Sequence, residues 1–375
     1  MPIPPLPEPD FGLADIPPNP PVHYAEQALL GALLLDPHRI KTIGPLESDR
    51  FASANHRALF TAMTTLTAPS PDLHAKEPVW ITAVLAHARP HARGLTPSYL
   101  HALAGACPDP AHAPAYARMV RADHARRTVL MHADLLVQAA TDPGLPAPAT
   151  VTLRRADALA TFLDHLAASF PSHPGSLPRT PTPAPPSRPD GPEIAGEEQV
   201  LLSTAAAYPA ALTSMRWLRP EDFTTALYGG LYRCMTSLAS RGEPVDKVTV
   251  LWEAQQHGLL TQAFGPQEAL ELLDTPAGTP EHWGEQILRR SLLRQAHLAG
   301  LHIQALAEDL ANSPHQVITG SRRALSHLAA VRARWYHSTR QPTAGRPPAS
   351  PAPAARAGPS QQRTSSPTAS SRSFR

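Results

Sequence analysis

One stretch of this chain is written twice, 172 residues apart, and that repeat constrains the fold more than any other feature. Without a gap, Glu26-Gln27 aligns with Glu198-Gln199, Leu29-Leu30 with Leu201-Leu202, Pro37 with Pro209, Leu46 with Leu218, Phe51 with Phe223, Leu59 with Leu231, Met63 with Met235 and Leu66 with Leu238. From Glu26 to Leu66, 12 of 41 positions are identical, and His56/Tyr228 and Phe60/Tyr232 keep a similar shape. Two copies of one domain are the simplest source of such a register.

Within each copy the periodicity is helical. Leu29, Leu30, Leu33 and Leu34 fall at helical spacing until Asp36-Pro37, where the proline disfavours helix in the residue before it. Pro209 stops the second copy in the same way. A short apolar segment, Ile40, Ile43 and Leu46, leads to Phe51, and Leu59, Phe60, Met63 and Leu66 form a second stripe. Further helices are expected around 79–87 and 98–104, with Pro69, Pro71, Pro78, Pro90 and Pro97 marking turns. From Pro114 a run without proline reaches Thr141, a break at Asp142-Pro143-Gly144 follows, and a second run covers 150–169. That is a hairpin of two unusually long helices. The second copy repeats it with 281–312, a break at Ser313-Pro314, and 315–336.

The segment Tyr24-Ala-Glu-Gln-Ala-Leu-Leu-Gly-Ala-Leu-Leu-Leu-Asp, with Phe51, His56 and Phe60 after it, resembles the N-terminal domain of DnaB-type replicative helicases. The resemblance covers 22–169 and 194–336. The second copy departs from the family by placing Ser203 where the first has Gly31, while its Pro244-Val245-Asp246 and Thr249 look more like the family than Pro78-Val79-Trp80. The resemblance implies an all-α fold of two tandem domains, each a small helical head followed by a long helical hairpin. It also implies that hairpins pair domains into dimers within a ring-shaped collar, and that the collar offers a docking face to primase.

The copies are set in proline-rich surroundings. Residues 1–21 read as a disordered acidic arm, 22–170 as copy one, 171–193 as a linker, 194–337 as copy two, and 338–375 as a disordered basic Ser/Pro/Arg tail. The tail holds six arginines and no acid, which leaves the rest of the chain mildly acidic. With aromatics at 5%, both cores must be largely aliphatic. Cys107 and Cys234 fall at unrelated positions of the two copies, so a disulfide framework is unsupported, and with neither a signal peptide nor a span-length apolar run the expected location is cytoplasmic, with nucleoid association as an option.

The motif inventory argues against catalysis. A DnaB-type motor needs a P-loop, whose backbone amides and lysine cradle phosphates and whose Ser/Thr holds magnesium. The only lysines are Lys41, Lys76 and Lys247, and neither Gly-Lys-Ser nor Gly-Lys-Thr occurs. Among nineteen histidines, His87 and His91 have i,i+4 spacing, but Pro90 interrupts the helix between them and no Cys-x-x-Cys or His-Glu-x-x-His accompanies them. No catalytic residue, cofactor or metal site is expected.

Basic residues gather on the hairpins: Arg118, Arg121, Arg126 and Arg127 in copy one, and Arg289, Arg290 and Arg294 in copy two. Only Arg127 and Arg294 coincide at the offset of 167. These seven are the candidates for partner or DNA contact, against the plainer reading of a solvated face. The expectation is a non-catalytic replication accessory that engages replicative helicase, primase or both. A helicase subunit acting only with a separate motor, and a nonspecific DNA-binding module, are the rival classes. Because both pairing partners lie on one chain, with the 26-residue proline-rich stretch 171–196 between them spanning about 25–30 Å as a coil, an intramolecular pseudo-dimer is expected, and three chains would complete a six-domain collar.

Overall fold

The computed structural model describes residues 19–171, 177–184 and 192–340. The readings of the N-terminal arm and C-terminal tail as disordered fall almost wholly outside those residues. Among the described residues the elements are helices, α1 to α14, joined by turns and single 3-10 turns.

The first head comprises α1 (Pro21–Leu35), α2 (Ala54–Thr65), α3 (Pro71–Lys76), α4 (Val79–Ala88) and α5 (Pro97–Gly105). Apolar residues nearly encircle α1, because it is the central helix: nine of its residues from Ala25 to Leu34 are buried. Gly31 permits its closest crossing, since a Cβ there would lie 2.1 Å from the Leu103 carbonyl oxygen of α5. The second copy resolves the same crossing differently, with the Ser203 hydroxyl donating to the Thr275 carbonyl at 2.8 Å. Phe51 and Phe60 pack with ring centroids 4.9 Å apart, and Phe223 and Tyr232 reproduce the pair at 5.1 Å.

The second head is α8 (Pro192–Ala207), α9 (Ala211–Ser214), α10 (Ala226–Arg241), α11 (Lys247–Gln256) and α12 (Pro266–Leu272). Asp246 starts α11 by accepting the amides of Val248 and Thr249, while the Thr249 hydroxyl accepts the Asp246 amide. The first copy has no such cap: Trp80 stands in place of Asp246, is buried, and donates its indole N–H to the Leu33 carbonyl at 3.0 Å.

Both hairpins form, α6 (Ala113–Thr141) with α7 (Pro148–Ser169), and α13 (Pro280–Glu308) with α14 (Pro314–Arg340); α13 stops short of the expected 312, because Asp309 turns extended before the proline break is reached. They then pack on each other as one four-helix bundle. The second helix of copy two runs beyond the sequence boundary at 337: Ser338 is buried and its hydroxyl donates to the Trp335 carbonyl. Part of the linker, 177–184, is also less free than its composition implies. Gln316 donates to the Leu177 carbonyl and Thr180 to the Asp309 carboxylate, which ties 177–184 to the turn of the second hairpin.

Two cores result. The first head has its own, reaching α6 through Ala113, Tyr116, Ala117 and Val120 at its N-terminal end. The second head shares a continuous core with all four bundle helices.

Candidate assembly interface

The seam between the hairpins is built on small residues. Ala133 of α6 and Gly300 of α13 are equivalent at the 167-residue offset, and they face each other across an antiparallel crossing. A Cβ on Gly300 would lie 2.6 Å from the Val137 Cγ2 and 3.4 Å from the Ala133 carbonyl oxygen, so the backbones approach as closely as a missing side chain allows. Equivalent residues meeting at one point make this a local pseudo-two-fold axis. The hairpins pair although their sequences share little, because the crossing needs small residues rather than identical ones.

Polar contacts fix the register on either side of the crossing. Gln304 donates to the Asp134 carboxylate at 2.7 Å. Arg126 donates to the carbonyls of Ala307 (3.1 Å), Asp309 (2.7 Å) and Asn312 (2.6 Å). The last carbonyls of a helix have no intrahelical donor and carry the negative end of its dipole, so this guanidinium caps α13 from the other hairpin. On the outer side, Asp157–Arg332 and Asp164–Arg322 link α7 to α14.

The seven arginines therefore part company. Arg121 donates to the carbonyls of Ile43 (2.9 Å) and Pro45 (3.4 Å), and burial pushes its pKa down. Arg127 holds the Arg50 carbonyl at 2.7 Å, and Arg294 holds those of Glu221 and Asp222, both at 3.1 Å. Arg50 and Asp222 precede the two core phenylalanines, so the one arginine shared by the hairpins performs one task, fastening each head to its own long helix. Arg290 pairs with Glu197. Arg126 serves the seam, and only Arg118 and Arg289 stand exposed. As a set, these residues do not form a solvent-facing basic surface. A guanidinium on a helix face reads alike in sequence whether it meets water or a carbonyl 186 residues away.

Two acidic devices carry the head geometry, and the sequence marks them only as identities or oddities. Glu26 and Glu198 are fully buried. Glu26 accepts from the amides of Ala52 and Ser53 and from His56 Nδ1 (2.6 Å), and His56 Nε2 meets the Tyr99 hydroxyl at 2.8 Å. Glu198 accepts the amides of Thr224 (2.6 Å) and Thr225 (3.4 Å), with Tyr228 replacing the histidine. Each carboxylate thus holds the start of the helix after the phenylalanine. Burial and the nearby carboxylate push the pKa of Tyr99 and of Tyr228 upward.

The second device occurs in copy two alone. Asp222, 2% exposed, accepts from both Nη atoms of Arg334, from Ser291 Oγ (2.7 Å) and from the Arg219 amide (2.8 Å), and Arg334 also donates to the Trp217 carbonyl. Copy one has Arg50 at the position of Asp222 and Ala167 at that of Arg334, so neither half of this lock is present there.

Among the described residues no group of three or more His, Cys, Asp or Glu side chains is disposed to hold a metal ion, and no helix is long and apolar enough to cross a membrane.

The family model described as "DnaB-like helicase N terminal domain" matches residues 19–122 and 192–287. The replicative DNA helicase DnaB of Geobacillus stearothermophilus is 34% identical over 107 residues, which is 28% of this chain and 24% of that protein. The replicative DNA helicase DnaC of Bacillus subtilis is 32% identical over 101 residues, 26% of this chain and 22% of that protein. The replicative DNA helicase DnaB of Mycobacterium leprae is 29% identical over 113 residues, 30% of this chain and 19% of its own length. The chain thus matches less than a quarter of the length of each of these curated relatives. No solved structure matches it.

Proposed function

Since the chain belongs to the DnaB-like helicase N terminal domain family, with both of its copies matched, we propose that it is a non-catalytic accessory of DNA replication. It engages replicative helicase, primase or both through collar-like domains. The observation that carries this reading is the pairing of two family domains through their hairpins inside one chain, at the Ala133–Gly300 crossing. A chain that supplies a ready-made domain pair is equipped to join or compete with a collar built from such pairs. Fold-level analogy supplies the step from pair to collar, and the partner is therefore a matter for direct test. Three chains complete a six-domain ring in this reading, which operates in the cytoplasm at the nucleoid and needs no cofactor.

Purified protein mixed separately with replicative helicase and primase gives the test. Co-elution with at least one of them, with no ATP turnover by the protein alone, is expected. Failure to bind either sinks the engagement, and ATPase activity that follows the protein through repurification sinks its non-catalytic character.

A further inference from the structure

Away from the paired hairpins, α11 shows solvent an unusual face. It buries Val250, Glu253 and Ala254 and turns Val248 and Trp252, one helical turn apart, outward with 69% and 63% of their surfaces exposed. Leu251 lies half-buried beside them. Scattered apolar residues on a surface need no explanation, but an exposed indole and valine stacked at i,i+4 form one continuous stripe. The first copy has Thr82 and Ala86 at the positions aligned through Pro78-Val79 and Pro244-Val245, so the stripe belongs to the second head alone.

The surroundings of α11 are acidic: Asp246 caps its start, Asp274 pairs with its Lys247, and the exposed Glu268 and Glu271 lie on α12, which packs on it. The two cations of 241–274 are already engaged, Arg241 with Glu243 and Glu253, and Lys247 with Asp274. Such a face repels a phosphate backbone and attracts an arginine-rich segment, because a guanidinium can lie on an indole while its N–H groups meet carboxylates.

The chain supplies such a segment itself. Residues 341–375 contain Arg346, Arg356, Arg363, Arg372 and Arg375, no acid, and one aromatic residue, Phe374. They follow α14, whose Arg334 already touches the second head at Trp217 and Asp222. At about 3.3 Å per residue even a dozen residues reach roughly 40 Å. We propose that the basic segment 341–375 docks in cis on the α11 face of the second head, its arginines on Trp252 and among Glu268, Glu271 and their acidic neighbours. Tethering raises the local concentration to about millimolar, so contacts too weak to hold a free peptide close within the chain. This inference goes beyond the proposed replication role and stands without it.

The test uses the full chain and a full-length variant with the five arginines replaced by serine. Acrylamide quenching is measured in each background with and without Trp252→Ala, so that the share of Trp252 is isolated from the other four tryptophans. At low salt Trp252 is expected to be quenched several-fold less in the parent than in the serine variant, and the difference is expected to vanish near about 1 M sodium chloride. Glu268→Lys with Glu271→Lys should remove the protection as the serine variant does. Equal quenching in both chains at low salt overturns the proposal, as does protection that grows with protein concentration, which assigns the contact to a neighbouring chain's segment.

Discussion

Removing the Arg334 side chain tests how the second head is held. Asp222 is 2% exposed and the Arg334 side chain 14%, so Arg334→Ala leaves a carboxylate in the core with only Ser291 Oγ and the Arg219 amide to satisfy it. Breaking a buried pair from one side costs about 3–5 kcal/mol, because the remaining charge has lost its partner and cannot reach water. Hydrogen exchange followed by mass spectrometry reads this locally. Amides of α10 should exchange faster by about two to four powers of ten, while those of α2, in the separate first core, stay at the parent rate. Arg332→Ala is the control: its pair with Asp157 is 35% and 49% exposed, and such a pair is worth about 0.2–1 kcal/mol. Adding Asp222→Asn to Arg334→Ala should restore part of the protection, since a neutral amide is cheaper to leave buried. If Arg334→Ala and Arg332→Ala accelerate α10 exchange equally, or if α2 responds as strongly as α10, the reasoning about the lock is wrong.

Other perturbations reach the remaining parts of the fold. Gly300→Val should force α6 and α13 apart, destabilise the bundle by about 1–3 kcal/mol or more, and enlarge the particle in solution scattering; an unchanged melt and radius would contradict the close crossing. Phe51→Ala and Phe223→Ala should each cost about 3–5 kcal/mol, the first unfolding head one alone and the second also weakening the bundle whose core it shares; identical melting profiles would refute the two-core division. Stability should fall as pH drops from 7 to 5, because burial lowers the pKa of His132 on α6 and His302 on α13 below the ordinary 6.5. Sign follows from linkage: the folded state binds fewer protons than the unfolded chain, so the stabilisation is present above about 6.5 and lost as the histidines charge. A His132→Gln, His302→Gln variant that keeps the full acid sensitivity would exclude them as its source.

How much of this is legible in the sequence depends on whether the cause is local. Prolines mark the helix ends, so α6 closes at Thr141 and α7 opens at Pro148, around the break at Asp142-Pro143-Gly144. By contrast α3 has only a local start signal, the Ser70 cap with Pro71 and Asp72 behind it, and no apolar period to tell a six-residue helix from a turn. Glu26 and Glu198 are visible as an identity, but their purpose is not, because the amides they accept lie 26 and 27 residues further on. Arg126 is visible as a charge, and the helix end that needs it is not. The serine-rich composition after Tyr336 suggests an end to α14, yet the helix continues to Arg340 with Ser338 buried and its hydroxyl turned back to the Trp335 carbonyl.

The crossing of Ala133 and Gly300 has a further consequence for inheritance. Where identical chains pair about a two-fold axis, one codon sets both sides of the crossing, and the seam is alanine on alanine or glycine on glycine. Joining the halves gives each side its own codon. Two first halves would bring a second methyl group to a point where a Cβ on Gly300 would lie only 2.6 Å from Val137, and two second halves would leave the seam without any. Each half is thereby mated to the other rather than to its own kind, and the choice of mate is written in one methyl group.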